Sequence, residues 1–149
     1  MDGLANIANE TGSLGLGATL RRGVERLAGA GIDSPRLDAE VLLAHAMAIK
    51  REQLVVAGDS PLTAARAGSF ELLLERRLQR EPVAYITGKQ EFWSLDFTVT
   101  PDVLIPRPDT ERLVEIALLC AAKLPAATPL RIADLGTGSG AVAVSLAVE

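Results

Sequence analysis

The chain has 149 residues, 48% of them hydrophobic, a formal net charge of −4, and a single histidine and a single cysteine. That length and composition allow one globular domain of ordinary size, or two small ones, around a buried core. They exclude a membrane-spanning helix, because no window approaches the ~18 apolar residues a span needs, and an internal disulfide, because Cys120 has no second cysteine to pair with. Fifteen Lys and Arg against nineteen Asp and Glu also argue against direct nucleic-acid binding, which needs a clustered cationic excess. The nearest approach to a patch, Arg76-Arg77 with Arg80, reads as a solvated helix face. Cys120 lies in the apolar run Leu118-Leu119-Cys120-Ala121-Ala122 and is expected to be a buried small hydrophobe. With no basic segment ahead of an apolar one at the N-terminus, a cytoplasmic, unexported protein is expected.

Residues 1–17 hold Gly3, Gly12, Gly15 and Gly17 among small polar residues and are expected to form a flexible leader. From Ala18, the spacing of Leu20, Val24 and Leu27 predicts a first helix that stops at Gly29 and Gly31. Ser34-Pro35 predicts the start of a second, with the serine oxygen as cap and proline at the first helical position. Its stripe is Leu37, Val41, Leu42, Ala44, His45 and Ala48. Arg51 to Ala57 predicts a short third helix, and Thr63 caps a fourth that runs through Arg80 and buries Ala67, Phe70, Leu73, Leu74 and Leu78. Residues 18–80 are therefore expected to be a small helical bundle.

The period then changes. Aromatic and β-branched residues across Gln90 to Val99 predict a β-hairpin that turns near Ser94 to Asp96, within a connector over residues 81–108. Pro106 and Pro108 stiffen the next segment, and Asp109 or Thr110 is expected to cap a helix reaching Leu124, with Leu113, Ile116, Ala117, Cys120 and Leu124 inward. After a short Pro125 to Pro129 connection, Leu130 to Leu135 reads as a strand. A glycine turn and an apolar helix from Ala141 to Val148 follow. The fold class expected is α+β: a helical bundle, a hairpin connector and the first strand-loop-helix of a truncated α/β domain over residues 109–149.

The turn Asp134-Leu135-Gly136-Thr137-Gly138-Ser139-Gly140 carries the chemistry. A phosphate loop of the Gly-Lys-Ser/Thr type is excluded, because that ending is missing and no lysine is near. A dinucleotide loop stays open, since Gly136, Gly138 and Ala141 satisfy Gly-x-Gly-x-x-Gly/Ala ahead of a helix N-terminus. An S-adenosylmethionine loop, acidic-x-Gly-x-Gly-x-Gly, is matched at all four positions by Asp134, Gly136, Gly138 and Gly140. Glycines there let the backbone approach the cofactor, and a carboxylate helps to place its cationic end. A bare structural turn is the third reading, weakened by the conformational entropy three glycines cost.

Three further segments, Glu81-Pro82-Val83-Ala84-Tyr85-Ile86-Thr87-Gly88, Glu91-Phe92-Trp93 and Leu104-Ile105-Pro106-Arg107-Pro108-Asp109-Thr110-Glu111, precede that loop. In this order they resemble the release factor glutamine methyltransferase family, strongly from about Glu81 to Ala147 and only in architecture before it. The resemblance implies a helical substrate-recognition domain, a hairpin connector and a class I, Rossmann-like methyltransferase domain. It implies transfer of a methyl group from S-adenosyl-L-methionine to the side-chain amide of the glutamine in the Gly-Gly-Gln loop of peptide chain release factors. Gly136, Thr137, Gly138, Ser139 and Gly140 carry over as cofactor contacts with Asp134 beside them. No catalytic residue carries over: the family's Asn-Pro-Pro-Tyr motif, which polarises the amide, is not among these residues, nor is the acid that holds the cofactor's ribose. The chain as it stands is expected to be a monomer and inactive. Its rivals are a non-catalytic module that binds release factors and a fragment of a dinucleotide-dependent oxidoreductase.

Other residues have plainer readings. Arg107, between two prolines, is expected either to line the pocket or to form an ion pair. Asp109, Thr110 and Glu111 read as helix caps, and Phe92 and Trp93 as anchors of the hairpin. His45 lacks partners at metal-ligand spacing and is expected to be a packed or half-exposed core histidine, so no metal site is expected.

Overall fold

The computed structural model describes residues 15–58, 60–124 and 130–149, so the expected leader up to residue 14 and the connection over 125–129 lie outside the described residues. Among the described residues seven α-helices and one antiparallel hairpin form, in an α+β arrangement, and the chain divides into two compact units, one through Thr87 and one from Gly88.

The first unit contains α1 (Leu16–Gly29), α2 (Pro35–Met47), α3 (Arg51–Ala57), α4 (Ala64–Leu78) and the single turn α5 (Val83–Thr87). Helix α1 begins at Leu16, whose N–H donates to Ser60 O at 3.0 Å, so residues 15–17 already belong to the first helix and its entry. The helix ends at Gly29, and Gly31 takes the positive φ of 67° that the turn into Ile32 requires. Pro35 opens α2 as expected, but the Ser34 hydroxyl makes no capping bond. Thr63 does cap α4, accepting from Arg66 N at 3.4 Å, and the helix stops at Leu78, two residues short of Arg80, which takes φ 67°.

The core is Leu16, Leu27, Ile32, Ala39, Leu42, Leu43, Ala44, Met47, Leu54, Leu62, Phe70, Leu74 and Ile86. Each fully buried Leu or Phe contributes on the order of 1.5–3 kcal/mol relative to exposure. Helix α2 supplies the most because α1, α3, α4 and α5 all pack on it. That central position moves its buried face away from the expected stripe: Leu37 and His45 are exposed, whereas Asp38, Ala39, Leu43 and Met47 are buried. His45 is therefore on the surface of the last turn of α2 and not in the core.

An acid on a buried face needs a partner. Arg77 Nε donates to Asp38 Oδ2 at 2.7 Å, with only 19% and 12% of the two side chains exposed, and its second nitrogen donates to Glu81 O. Arg80 donates to Ala30 O and Gly31 O at 2.8 and 3.1 Å, closing the carbonyl end of α1. Arg76 holds Glu81 at 2.5 Å and reaches Ile86 O, and Arg26 on α1 holds Glu71 and Glu75 on α4. The expected solvated face holds for Arg76 and Arg80, which are exposed, and is corrected for the half-buried Arg77; all three also bond within the unit.

The second unit contains β1 (Lys89–Phe92), β2 (Leu95–Thr98), α6 (Glu111–Ala121), entered through a 3₁₀ turn at Pro108–Thr110, and α7 (Ala141–Val148). The strands pair Phe92 with Leu95 and Gln90 with Phe97, which leaves a two-residue turn at Trp93-Ser94 instead of the expected Ser94 to Asp96. Both turn residues have positive φ, 54° and 58°, as the tight turns that suit strand twist demand. Phe92, Phe97, Val114 and Ala141 form a second small core, with the two rings edge to face at 6.2 Å. Ser145 is fully buried there, and its hydroxyl has no partner among the described residues.

Three expectations fail in this unit. Residues 130–134 run without strand pairing, because a strand is held by the backbone bonds of a neighbour and the sheet described here is the two-stranded hairpin alone. Helix α6 ends at Ala121, short of the expected Leu124, which is exposed beyond it; the helix turns Val114 inward and exposes Leu113 and Ile116, since only one side of it meets the hairpin and α7. Cys120 lies on that same open side and is exposed, not buried.

Two outcomes follow. A Cβ at Gly23 would sit 2.7 Å from the Cζ of the buried Phe70 ring, whereas at Gly68, mid-helix in α4, it would meet nothing within 4 Å. Thermal or urea melts should show Gly23→Ala destabilised by about 1–3 kcal/mol, because overpacking outweighs the gain in helix propensity. Gly68→Ala should be more stable by about 0.5–1 kcal/mol. The hydrogen bond from Arg76 holds the Glu81 carboxyl below its ordinary value. A depressed carboxyl contributes stability above its unfolded value, near ~4.3, and loses it as pH falls through the lower folded one. Melts of Glu81→Gln should therefore show a shallower acid-side decline below about pH 4 than the parent.

Candidate functional site

The glycine turn is built from backbone conformation and not from crowding. Gly136, Gly138 and Gly140 have φ of 78°, 55° and 79°, a region side chains disfavour, yet a Cβ on any of them would meet nothing closer than 3.8 Å. Open space at each glycine is what a loop needs if a ligand is to approach its backbone. Thr137 O accepts from Gly140 N at 2.8 Å, and Gly140 O accepts from Val144 N at 2.9 Å, so the turn passes directly into α7 with Gly140 as its N-cap. The first amides of a helix have no partner within it, which makes this end receptive to an anionic group.

Asp134 is half-buried at the entrance to the turn, and its Oδ2 accepts from the Thr137 hydroxyl at 3.0 Å. Of the residues singled out in sequence, the structure thus links Asp134, Thr137 and Gly140, with Gly136, Gly138 and the half-buried Ser139 between them. Arg107 is exposed, in extended backbone at φ −98° before the 3₁₀ turn, and its side chain forms no ion pair or hydrogen bond among the described residues. His45 has no ligand cluster around it; no group of three or more His, Cys, Asp or Glu able to hold a metal occurs among the described residues.

The segment before α6 behaves differently from its sequence reading. Neither Asp109 nor Thr110 caps the helix through its side chain. Glu111 instead accepts the Trp93 N–H at 2.8 Å, and Trp93 Nε1 donates to Glu149 at 2.9 Å. These bonds hold a bulky residue in a left-handed turn that costs about 1–2 kcal/mol. Sequence reading missed the role of Glu111 because hairpin and helix are separated by a proline segment; the signal was a tryptophan in a two-residue turn, which needs an external hold. Glu91, Trp93, Ser94, Glu111 and Glu149 line an open cleft of ≈ 470 Å³, and none of the glycine-turn residues belongs to it.

Residues 18–88 match the family described as PrmC N-terminal domain. The chain is 50% identical over 137 residues to the release factor glutamine methyltransferase of Vibrio cholerae, covering 92% of this chain and 46% of that protein. It is 48% identical over 139 residues to that of Aliivibrio fischeri (92% and 47%) and 53% identical over 117 residues to that of Salmonella typhimurium (78% and 41%). The chain belongs to the release factor glutamine methyltransferase family. It spans less than half the length of these relatives. No helix among the described residues is long and apolar enough to cross a membrane.

The hold on Trp93 is open to test. Glu111→Ala should destabilise the second unit by about 1–2 kcal/mol, the cost of a buried-side acceptor lost to a strained amide. Faster hydrogen exchange at the Trp93 amide, with exchange in α1 to α4 unchanged, is the expected signature.

Proposed function

We propose that this protein takes part in N5-methylation of the glutamine in the Gly-Gly-Gln loop of peptide chain release factors, with S-adenosyl-L-methionine as donor. The observation that carries the reading is the Asp134 to Gly140 turn, with three positive-φ glycines that leave open space and an acid at its entrance, in a chain about half identical to enzymes named for this reaction. The donor set fits the cofactor: a carboxylate for its cationic end, open amides at α7 for its carboxylate, and glycines where a side chain would block approach. Asp134, Gly136, Thr137, Gly138, Ser139 and Gly140 hold it in this reading, and the exposed Arg107 lines the pocket. When bound, the cofactor supplies an electrophilic methyl group.

An amide nitrogen is a poor nucleophile, because its lone pair is delocalised, so catalysis must come from positioning and polarisation of the NH2 group. The Asn-Pro-Pro-Tyr motif that does this in the family is not among these 149 residues. The residues present therefore bind and place, and do not carry the transfer. In this reading residues 18–80 recognise the substrate, 81–108 connect, and 109–149 open a Rossmann-like methyltransferase domain in a cytoplasmic monomer that contacts no nucleic acid directly. Exposure of Leu130, Ile132, Leu135, Val144 and Val148 supports the last assignment, since these are the residues sheet neighbours would cover. The packing of the helical unit around its own core favours a second reading, a non-catalytic module that binds release factors without cofactor.

Calorimetric titration with S-adenosylmethionine and with NAD, beside a release-factor pull-down and a methyl-transfer assay, separates these readings. Binding of the methyl donor in preference to NAD, with no transfer above a no-enzyme control, is expected. NAD binding alone would overturn the cofactor assignment. Release-factor capture that is indifferent to a donor the chain does not bind would favour the module, and transfer by these residues alone would refute the placing of catalysis elsewhere.

A further inference from the structure

We infer that Thr137 is a positioning residue, whose hydroxyl clamps one oxygen of Asp134 and so presents the other to the cationic amino end of an amino-acid-bearing cofactor. The inference rests on the proposed cofactor and concerns how this chain prepares for it.

Three observations lead to it. Thr137 Oγ1 donates to Asp134 Oδ2 at 3.0 Å, while Oδ1 has no hydrogen-bond partner among the described residues. Asp134 is the only carboxylate in the sequence between Glu115 and Glu149, so it is the acid the turn itself supplies, and this hydroxyl orients it. The surroundings offer no other hold: Leu135 is 94% exposed, Gly136 has open space about it, and the nearest cation in sequence, Arg131, forms no ion pair among the described residues. A half-buried carboxylate with free χ rotation would lose rotamer entropy on binding a ligand. Fixing it beforehand removes that cost, which is how preorganisation raises affinity.

Thr137 also sets the frame in which the carboxylate acts. Its own carbonyl accepts the Gly140 N–H at 2.8 Å, and Gly140 is the N-cap of α7. One residue thus joins the acid to the helix end that offers free amides, so the sites for a ligand's ammonium and carboxylate are held at a fixed separation. Serine could make both bonds, whereas valine keeps the shape and the carbonyl but not the hydroxyl.

The test compares Thr137→Val, Thr137→Ser, Asp134→Asn and the double variant Thr137→Val/Asp134→Asn, each titrated with S-adenosylmethionine and examined by 13C NMR at the residue 134 side-chain carbonyl. Loss of one such hydrogen bond predicts a Kd about 5- to 10-fold weaker in Thr137→Val. Recovery to within about twofold in Thr137→Ser, and no further loss in the double variant beyond Asp134→Asn, are expected, as for two groups acting as a unit. The Asp134 carboxylate resonance should move in Thr137→Val and return in Thr137→Ser. Parental affinity in Thr137→Val, equal loss in Ser and Val, or an unmoved resonance would overturn the clamp. A resonance that moves as expected in a parent that does not bind the cofactor would leave the clamp standing and refute the proposed function.

Discussion

The burial of Asp38 is the constraint on which the helical unit turns. Helix α2 is packed on by four others, so its buried face is too wide to be wholly apolar, and an acid comes inside with it. A carboxylate placed there alone would be strongly destabilising. Arg77 answers it from α4, and the neighbouring Arg76 and Arg80 fasten the same end of that helix to α5 and to the carbonyls closing α1. The apolar core makes the bundle compact, and this polar seam fixes how its helices are registered. An ion pair of this kind adds little net stability, but removing one partner costs far more than the pair contributes.

The second unit is held by less. Its core cluster is four buried residues among those described, and the buried Ser145 of α7 brings a hydroxyl with no partner among the described residues. A two-residue turn with both φ positive, neither residue glycine, is tolerated because Glu111 takes up the Trp93 amide. Much of the apolar surface of α6 and α7 faces outward. A glycine turn of defined conformation in such a setting is a local construction, held by bonds between residues three and four apart, and it does not depend on the strand expected before it.

Local signals were legible in the sequence and nonlocal ones were not. Pro35, Thr63 and Gly31 mark helix ends through their own backbone preferences, and those ends lie where the sequence puts them or within two residues. The glycines of the turn were read as giving backbone access, and the open space about Gly136, Gly138 and Gly140 agrees with it. The inward faces of α2 and α6 were misjudged, because which stripe is buried depends on how many neighbours a helix meets and from which side. Arg77 was misread for the same reason: a charge run looks solvated throughout until the carboxylate one member serves is folded against it. An acid at Asp38, one turn before the buried Leu42, was the overlooked sign. At the candidate site, Asp134 and the glycines could be named from spacing, but the bond from Thr137 is a matter of rotamer and turn geometry.

The bonds made by the end of α4 reach far back along the chain, Arg77 to Asp38 across 39 residues and Arg80 to Gly31 and Ala30 across 49 and 50. A polypeptide leaves the ribosome in order, and domains fold as units when their parts are available. Helices α1 and α2 therefore emerge with an unanswered carboxylate and open carbonyls, and wait for a single helical turn made some forty residues later. The turn that ends α4 and runs on to Arg80 is the latch of the unit: until it has emerged and folded back, the acid of α2 and the carbonyls closing α1 lack their partners.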